Sequence, residues 1–287
     1  MVTATEAAAL VSRLTAMAIT GGGIPYYKGS GPSAEPTLLT LLALSALGMS
    51  PHHAKPLLSW VGCLQNPDGS VGIDARYLGQ GLWLTPVAAV VFHRYDLREA
   101  RDRARSFIVE LKSVTITNNP RIRQDNTLTG WPWVPGTFGW VEPTAWSVIA
   151  LSVCGSGDHP RAVEGRKFLL DREIPSGGWN YGNPAINDRE LLPFWDTTGL
   201  ALLALRGATD AGRVRGSLEL LERFPEKVDS LCGLAWASVG LDAFKRDAGR
   251  LKQKLLAVMK SVPDEELNAA HFAAGLIALS GKDVFGP

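Results

Sequence analysis

Four acidic residues stand directly before strongly apolar segments, and carboxyl groups in such places could serve as acids or bases. They are Glu35, Glu142, Asp196 and Asp229. The start of a helix carries partial positive charge, which favours a carboxylate, whereas burial favours the protonated acid. A carboxyl group held there could therefore donate or accept a proton. The simpler interpretation is that the two aspartates only cap helices, because Asp is a good N-cap residue and Glu a poorer one.

Aromatic residues are concentrated in the loops before the same segments. The chain contains nine tryptophans, and several stand next to the candidate acids. Aromatic faces bind apolar ligands and stabilise a nearby cation by roughly 0.5 to 2 kcal/mol each, although some of them would only fill space between loop and helix. The sequence therefore predicts a substrate-binding wall made of Trp83, Phe138, Trp140, Trp146, Trp179, Tyr181 and Trp195.

Three residues near the last two apolar segments suggest a different chemistry. Asp229 and Cys232 are three positions apart, on one face of a helix start, and His271 opens the next apolar segment. Asp, Cys and His ligands with an open fourth position would suit a catalytic zinc ion. The simpler interpretation is a capping Asp, a buried thiol and a core His. Zinc is thus the alternative cofactor, and the main interpretation requires none.

One pattern recurs along the chain and must position these residues. A Gly-rich or aromatic loop is followed by an acidic or Pro-Thr start signal and then by an apolar run. The runs are 38–47, 87–92, 145–153, 200–205, 229–241 and 268–279. They are apolar nearly all round, which is typical of helices buried on every side. The segments between them (97–112, 161–172, 213–223 and 243–260) have the spacing of helices with one solvated face.

Alternating buried and amphipathic helices predict an all-α fold. We expect a single domain over residues 1–287, an (α/α)6 toroid in which six helical hairpins form inner and outer helix rings. An open solenoid of helix pairs is the alternative, but its helices usually keep one solvated face each. In a closed toroid the inner helices begin at one mouth. The candidate acids and aromatic residues would then share a cavity there.

The composition is that of a globular protein. Of 287 residues, 46% are apolar and 20% charged. The net charge of +1 does not indicate a protein that binds nucleic acid. Three distant cysteines, Cys63, Cys154 and Cys232, indicate reduced thiols in a cytoplasmic protein. Residues 1–20 lack the features of a signal peptide. No run of about 18 apolar residues predicts a membrane span, while peripheral membrane contact stays compatible with the sequence. The oligomeric state is not indicated.

These segments resemble the terpenoid cyclase and protein prenyltransferase superfamily, whose members are (α/α)6 toroids. Three loops look like that family's Gln-to-Trp motif: 65–72 (QNPDGSVG), 137–140 (TFGW) and 167–179 (KFLLDREIPSGGW). The first copy has the Gln but no Trp, and the other two have the Trp but no Gln.

The segment 193–205 (PFWDTTGLALLAL) is similar to the helix start that carries the cyclases' DxDD motif. The resemblance implies acid-initiated cyclisation, in which an aspartate protonates an alkene or epoxide of an isoprenoid. Only the last Asp matches, as Asp196, while Pro193 and Trp195 take the places of the first and third. The proton would then come from Asp196, Glu142 or Glu35, with a pKa raised by desolvation.

Segments 228–241 (VDSLCGLAWASVGL) and 267–279 (LNAAHFAAGLIAL) resemble the zinc-binding helices of the prenyltransferases. The spacing Asp-x-x-Cys is one residue longer than the family's Asp-x-Cys. The resemblance therefore implies either a metal-free enzyme acting on an apolar, isoprenoid substrate or a zinc-dependent transferase. The same carboxylates and tryptophans are also compatible with sugar chemistry, and the toroid with a binding protein that catalyses no reaction.

Overall fold

A computed structural model describes residues 3–79, 82–119, 122–187, 189–223 and 230–286. Its twelve α-helices are α1 (Ala4–Thr15), α2 (Ala34–Ala46), α3 (Pro51–Gly62), α4 (Thr85–Arg94), α5 (Arg98–Glu110), α6 (Val141–Val153), α7 (Pro160–Asp171), α8 (Trp195–Leu205), α9 (Arg215–Glu222), α10 (Leu231–Ala243), α11 (Gly249–Ser261) and α12 (Ala269–Ser280). Two short antiparallel ribbons lie in the loops: β1 (Ile24–Pro25) with β2 (Pro32–Ser33), and β3 (Ala185–Ile186) with β4 (Arg189–Glu190).

Six helices form a cycle of contacts in the middle of the molecule. They are α2, α4, α6, α8, α10 and α12; each packs on the next, and α12 packs on α2. Their side chains are buried on nearly every side, as in α6, where most residues from Val141 to Val153 are in the core. We call these six the inner helices. The predicted apolar runs fall on them because a helix without a polar face is stable only when protein surrounds it.

The other six helices lie around this cycle. α3, α5, α7, α9 and α11 each connect two inner helices and pack on one or both of them, and α1 packs on α12. Helix α5 shows their amphipathic character, since it buries Ala104 and Ile108 and turns charged residues to solvent. The prediction of a helical protein with alternating buried and amphipathic helices is confirmed. Within the described ranges, no helix combines the length and hydropathy needed to cross a membrane.

The last two inner helices begin close to where the sequence predicts. Asn268 is the N-cap of α12, and its side chain accepts a hydrogen bond from the His271 N–H at 3.1 Å. Helix α10 begins at Leu231, with Ser230 as the N-cap that accepts from the Gly233 N–H. The predicted start at Asp229 lies in residues 224–229, outside the described part of the chain.

A threonine in the first turn of four inner helices fastens the loop before it. Each threonine Oγ1 accepts a hydrogen bond from a buried backbone N–H of that loop, at 2.8 or 2.9 Å. The pairs are Thr37 with Ile24, Thr85 with Val71, Thr144 with Trp131, and Thr198 with Trp179. These bonds explain the Thr of the predicted start signals, and they hold each loop over the beginning of its helix.

We expect Thr144→Val to destabilise the protein by about 1 to 3 kcal/mol, because the Trp131 N–H would then be buried without an acceptor. Urea unfolding measures the loss. Ser147→Ala is the matched control in the same helix, since the Ser147 hydroxyl only donates to the Pro143 carbonyl at 2.8 Å. Equal losses in the two variants would contradict a special role for the loop bond.

Helices α8 and α10 approach closely at two glycines. A Cβ atom on Gly199 would lie 2.0 Å from the Trp236 carbonyl oxygen, and one on Gly240 would lie 2.7 Å from the Gly199 Cα. Any larger residue would separate the two backbones there. The approach brings the Trp236 side chain to the middle of the cycle, where its ring lies 5.2 Å from that of Trp146.

Candidate functional site

A narrow cavity lies between the six inner helices at the end where they begin. Each helix, or the turn just before it, contributes one residue to an outer layer and the residue four positions later to a deeper layer. The outer layer contains Glu35, Trp83, Glu142, Asp196, Cys232 and Ala270, and the deeper layer contains Leu39, Val87, Trp146, Leu200, Trp236 and Ala274. Four residues make about one helical turn, so the layers stack along the axis. The outer layer holds the three carboxyl groups and the thiol, and the deeper layer is apolar.

The three predicted acids meet in this cavity. Glu35, Glu142 and Asp196 each occupy the second position of their helix, and all three line the same space together with His271. The free volume is about 30 Å³, enough for one or two water molecules. The cavity is therefore a small acidic chamber with an apolar floor.

Glu142 has the most perturbed environment of the three carboxyl groups. Burial, together with the negative charges of Glu35 and Asp196, raises the pKa of Glu142 to about 8. A carboxyl group with this pKa is largely protonated at neutral pH. It is thus able to donate a proton where an ordinary glutamate could not.

Glu35 is held by a neighbouring phenol. The Tyr26 hydroxyl donates a hydrogen bond to Glu35 Oε2. Burial raises the pKa of Glu35, and the bond from Tyr26 partly opposes that rise. The pKa of Tyr26 is itself raised, first by burial and then by the charge of Glu35, so the phenol keeps its proton and acts as a donor.

Asp196 does not cap its helix, so the capping interpretation of this residue is wrong. Phe194 occupies the N-cap position of α8 and makes no side-chain capping bond. Asp196 Oδ1 instead accepts from the adjacent Thr197 N–H at 2.9 Å, and Oδ2 accepts from the Cys232 thiol at 3.8 Å. The carboxylate therefore faces the cavity.

Only two of the three residues of the zinc alternative, Cys232 and His271, are in the described part of the chain. Burial and the nearby carboxylates raise the pKa of Cys232 well above its usual value, so the thiol holds its proton unless a metal ion displaces it. His271 lines the same cavity, and burial lowers its pKa. Asp229 lies outside the described residues. Within the residues that are described, no three His, Cys, Asp or Glu side chains are grouped to hold a metal ion.

The predicted aromatic residues separate into three groups. Trp83 and Trp146 line the cavity. Phe138, Trp140 and Tyr181 are 52%, 39% and 45% exposed in the loops before α6 and α8, and Trp195 is half-buried at the start of α8.

Trp179 forms the third group by itself. It is fully buried, and its indole N–H donates to the Leu169 carbonyl at 2.7 Å. Trp131 makes the equivalent bond to the Ile108 carbonyl at 2.8 Å. These two tryptophans tie loops to the ends of outer helices, so Trp179 packs and does not line the cavity.

Sequence reasoning missed several residues that the cavity uses. Trp236 and Leu39 lie in the deeper layer, and Tyr26 holds Glu35. The sequence could have indicated Trp236 and Leu39, because each lies four positions after an outer-layer residue and thus on the same helix face. No local pattern indicates the bond from Tyr26, since its geometry depends on the path of the first loop.

No known family profile matches the sequence, and no curated protein matches it. Solved structures do resemble it. An α-amylase from Clostridium perfringens superposes with a TM-score of 0.65 at 10% identity, over 96% of this chain and 97% of that chain. A variant of the type II terpene cyclase MstE from Scytonema gives a TM-score of 0.63 at 11% identity, over 96% of both chains.

A third neighbour is a variant of Rex8A from Paenibacillus barcinonensis, solved with an arabinofuranosyl-xylotetraose. Its TM-score is 0.59 at 11% identity, over 98% of this chain and 92% of that chain. MstE has also been solved with its substrate, geranylgeranyl dihydroxybenzoate. At these identities the likenesses show the fold alone, that of the α/α toroids. Because proteins with different ligands share this fold, function has to be argued from the site.

Proposed function

We propose that the chain forms a single (α/α)6 toroid of six helical hairpins and is a terpene-cyclase-like enzyme. Its substrate would be an isoprenoid or another apolar chain, and the reaction would be started by acid and proceed through carbocations without a metal ion. One observation carries the proposal. Glu142, with a pKa near 8, stands one helical turn above an apolar layer that contains Trp146 and Trp236.

The reaction would begin when Glu142 donates its proton to a carbon–carbon double bond. The electron pair of that bond forms the new C–H bond, and the other carbon becomes a cation that a second double bond attacks to close a ring. The charges of Glu35 and Asp196, which raise the pKa of Glu142, would also stabilise this cation. The faces of Trp146 and Trp236 add to that stabilisation.

The final step would return a proton to the protein. Loss of a proton from a carbon next to the last cation restores a double bond, and a carboxylate of the outer layer accepts it. The product would therefore be an isomer of the substrate, with one ring more and one double bond fewer. No cofactor takes part in this sequence.

The exposed aromatic side chains around the mouth would bind the rest of the substrate. Tyr27, Trp140, Tyr181 and Phe194 are each between 39% and 47% exposed, and the rings of Tyr181 and Phe194 lie 4.7 Å apart. Since the chamber itself is small, only the reacting end of the chain would lie at the carboxyl groups. The same aromatic residues would suit peripheral contact with a membrane that supplies an apolar substrate.

Incubation with linear prenyl diphosphates and prenylated aromatics in D₂O tests this function. We expect an isomeric cyclic product with one deuterium on carbon, because the proton from Glu142 exchanges with solvent before transfer. Mass spectrometry measures the incorporation, and a chelator should leave the rate unchanged. A substrate with its terminal double bond saturated is the control. A product without deuterium, or none at all, would contradict the proposal.

Sugar cleavage is the second candidate, because three carboxyl groups stand beside tryptophans in one cavity. Glycosidases use two carboxyl groups that flank a glycosidic bond, with room between them for sugar and water. A volume of about 30 Å³ takes neither a sugar ring nor an isoprenoid end unless the lining side chains move, so the apolar layer with Trp146 and Trp236, and not the volume, favours the isoprenoid. Release of reducing sugars from xylo- or malto-oligosaccharides, without turnover of isoprenoids, would reverse this preference.

A further inference from the structure

The segment 283–286, which follows α12, folds back into the far end of the inner helices. Its Phe285 is 4% exposed. The Phe285 ring lies 5.9 Å from the ring of Trp146 and 6.1 Å from that of Trp236. Because both tryptophans belong to the deeper layer of the cavity, Phe285 is the next side chain beyond the floor.

Two arginines from different inner helices hold this segment. Arg94, at the end of α4, donates to the backbone carbonyls of the residues on both sides of Phe285. Arg206, the C-cap of α8, donates to the Phe285 carbonyl at 2.6 Å and to the Asp283 carboxylate at 2.7 Å. Backbone and side-chain bonds thus fix the position of the Phe285 ring from two directions.

A second cavity, of about 390 Å³, lies on the other side of Phe285. Part of its wall comes from α8, α10 and α12, through residues that lie three positions beyond residues of the deeper layer: Leu203, Val239 and Ile277. Three residues correspond to about 4.5 Å along a helix. We call this space the rear cavity. The rings of Trp146 and Trp236, and behind them that of Phe285, separate it from the acidic chamber.

We propose that Phe285 sets the depth of the substrate cavity and thereby the length of apolar chain that the site accepts. This inference rests on the proposed function. With Phe285 in place, the apolar space below the carboxyl groups ends at Trp146 and Trp236. The rings of Trp146 and Trp236 lie 5.2 Å apart and touch, so they close the floor while Phe285 packs behind them. Without the Phe285 ring they could move into the freed space, and the chamber and the rear cavity would then join.

The test compares binding of geraniol, farnesol and geranylgeraniol to the wild-type protein and to Phe285→Ala by calorimetry. We expect the affinity for geranylgeraniol relative to geraniol to rise about tenfold or more in the variant, because additional methylene groups become buried. Phe285→Leu leaves part of the space filled and should give a smaller rise. It also provides the comparison if Phe285→Ala does not fold.

Phe272→Ala is the matched control. Phe272 is fully buried in α12, but its ring lies under the Arg13 guanidinium of α1, at 5.3 Å, away from the cavity. The control should lose stability without any change in chain-length preference. An unchanged ratio in the Phe285 variants, or an equal change in Phe272→Ala, would overturn the inference.

A second measurement separates this inference from the proposed function. If no isoprenoid alcohol binds to any of the proteins, the proposed function is wrong. Crystals of Phe285→Ala or Phe285→Leu under xenon then test whether Phe285 separates the two cavities. Xenon binds to apolar engineered cavities. Xenon in a channel that joins the chamber and the rear cavity in either variant, and not in the wild type, would support Phe285 as the partition. Absence of xenon there would overturn it.

Discussion

Replacing Glu142 with glutamine should reduce kcat for cyclisation by about 10²- to 10⁴-fold, the range that a positioned general acid contributes. Glutamine keeps the shape of the side chain but has no carboxylic proton to donate. KM should change little, because the aromatic mouth and the apolar layer stay intact. The rate of product formation at saturating substrate measures the effect.

The matched control is Glu99→Gln, since Glu99 is exposed at the start of the outer helix α5. It should keep the wild-type rate. We expect Glu35→Gln to have a smaller effect than Glu142→Gln. Glu35 accepts a hydrogen bond from Tyr26 and would contribute its negative charge, whereas Glu142 would donate the proton. Full turnover in both Glu142→Gln and Asp196→Asn would reject these residues as the proton donor.

The stability of the protein should fall as the pH rises from about 5 to 8. The pKa of Glu142 rises from an ordinary 4.5 to about 8 in the folded protein. Between these values the folded state holds a proton that the unfolded state has lost. This stabilisation is complete below pH 4.5, is lost as the pH rises through about 8, and is on the order of 5 kcal/mol.

Urea unfolding at a series of pH values measures this dependence. The difference between the wild type and Glu142→Gln isolates the carboxyl group from other titrating residues. His93 and His271, whose pKa values are lowered by burial, contribute a slope of opposite sign that both proteins share. The raised pKa of Glu35 acts in the same direction as that of Glu142. Parallel curves for the two proteins would show that Glu142 is not protonated at neutral pH.

Much of the fold could be predicted from local patterns. The apolar runs lie on α2, α4, α6, α8, α10 and α12 because a helix without a polar face must be surrounded by protein. The acids Glu35, Glu142 and Asp196 precede a Thr by two positions, and that spacing predicts their shared place at the helix starts. Their meeting in one cavity follows once the six helices close into a cycle.

The roles of individual aromatic residues could not be predicted in this way. Trp140 and Trp179 both follow a glycine in the loop before an inner helix, yet Trp140 is 39% exposed and Trp179 fully buried. The difference depends on the path of each loop over its outer helix, which brings the Trp179 indole to the Leu169 carbonyl. A single position in the sequence carries no information about that distant acceptor.

Side-chain type and periodicity were thus enough to place the helices, their buried faces and the acids at their starts, because these depend on interactions within a few residues. The raised pKa of Glu142, the bond from Cys232 to Asp196 and the packing of Phe285 against two tryptophans come from contacts between distant segments. Desolvation and charge repulsion depend on distances in space, and those exist only after the helices have packed around their common axis.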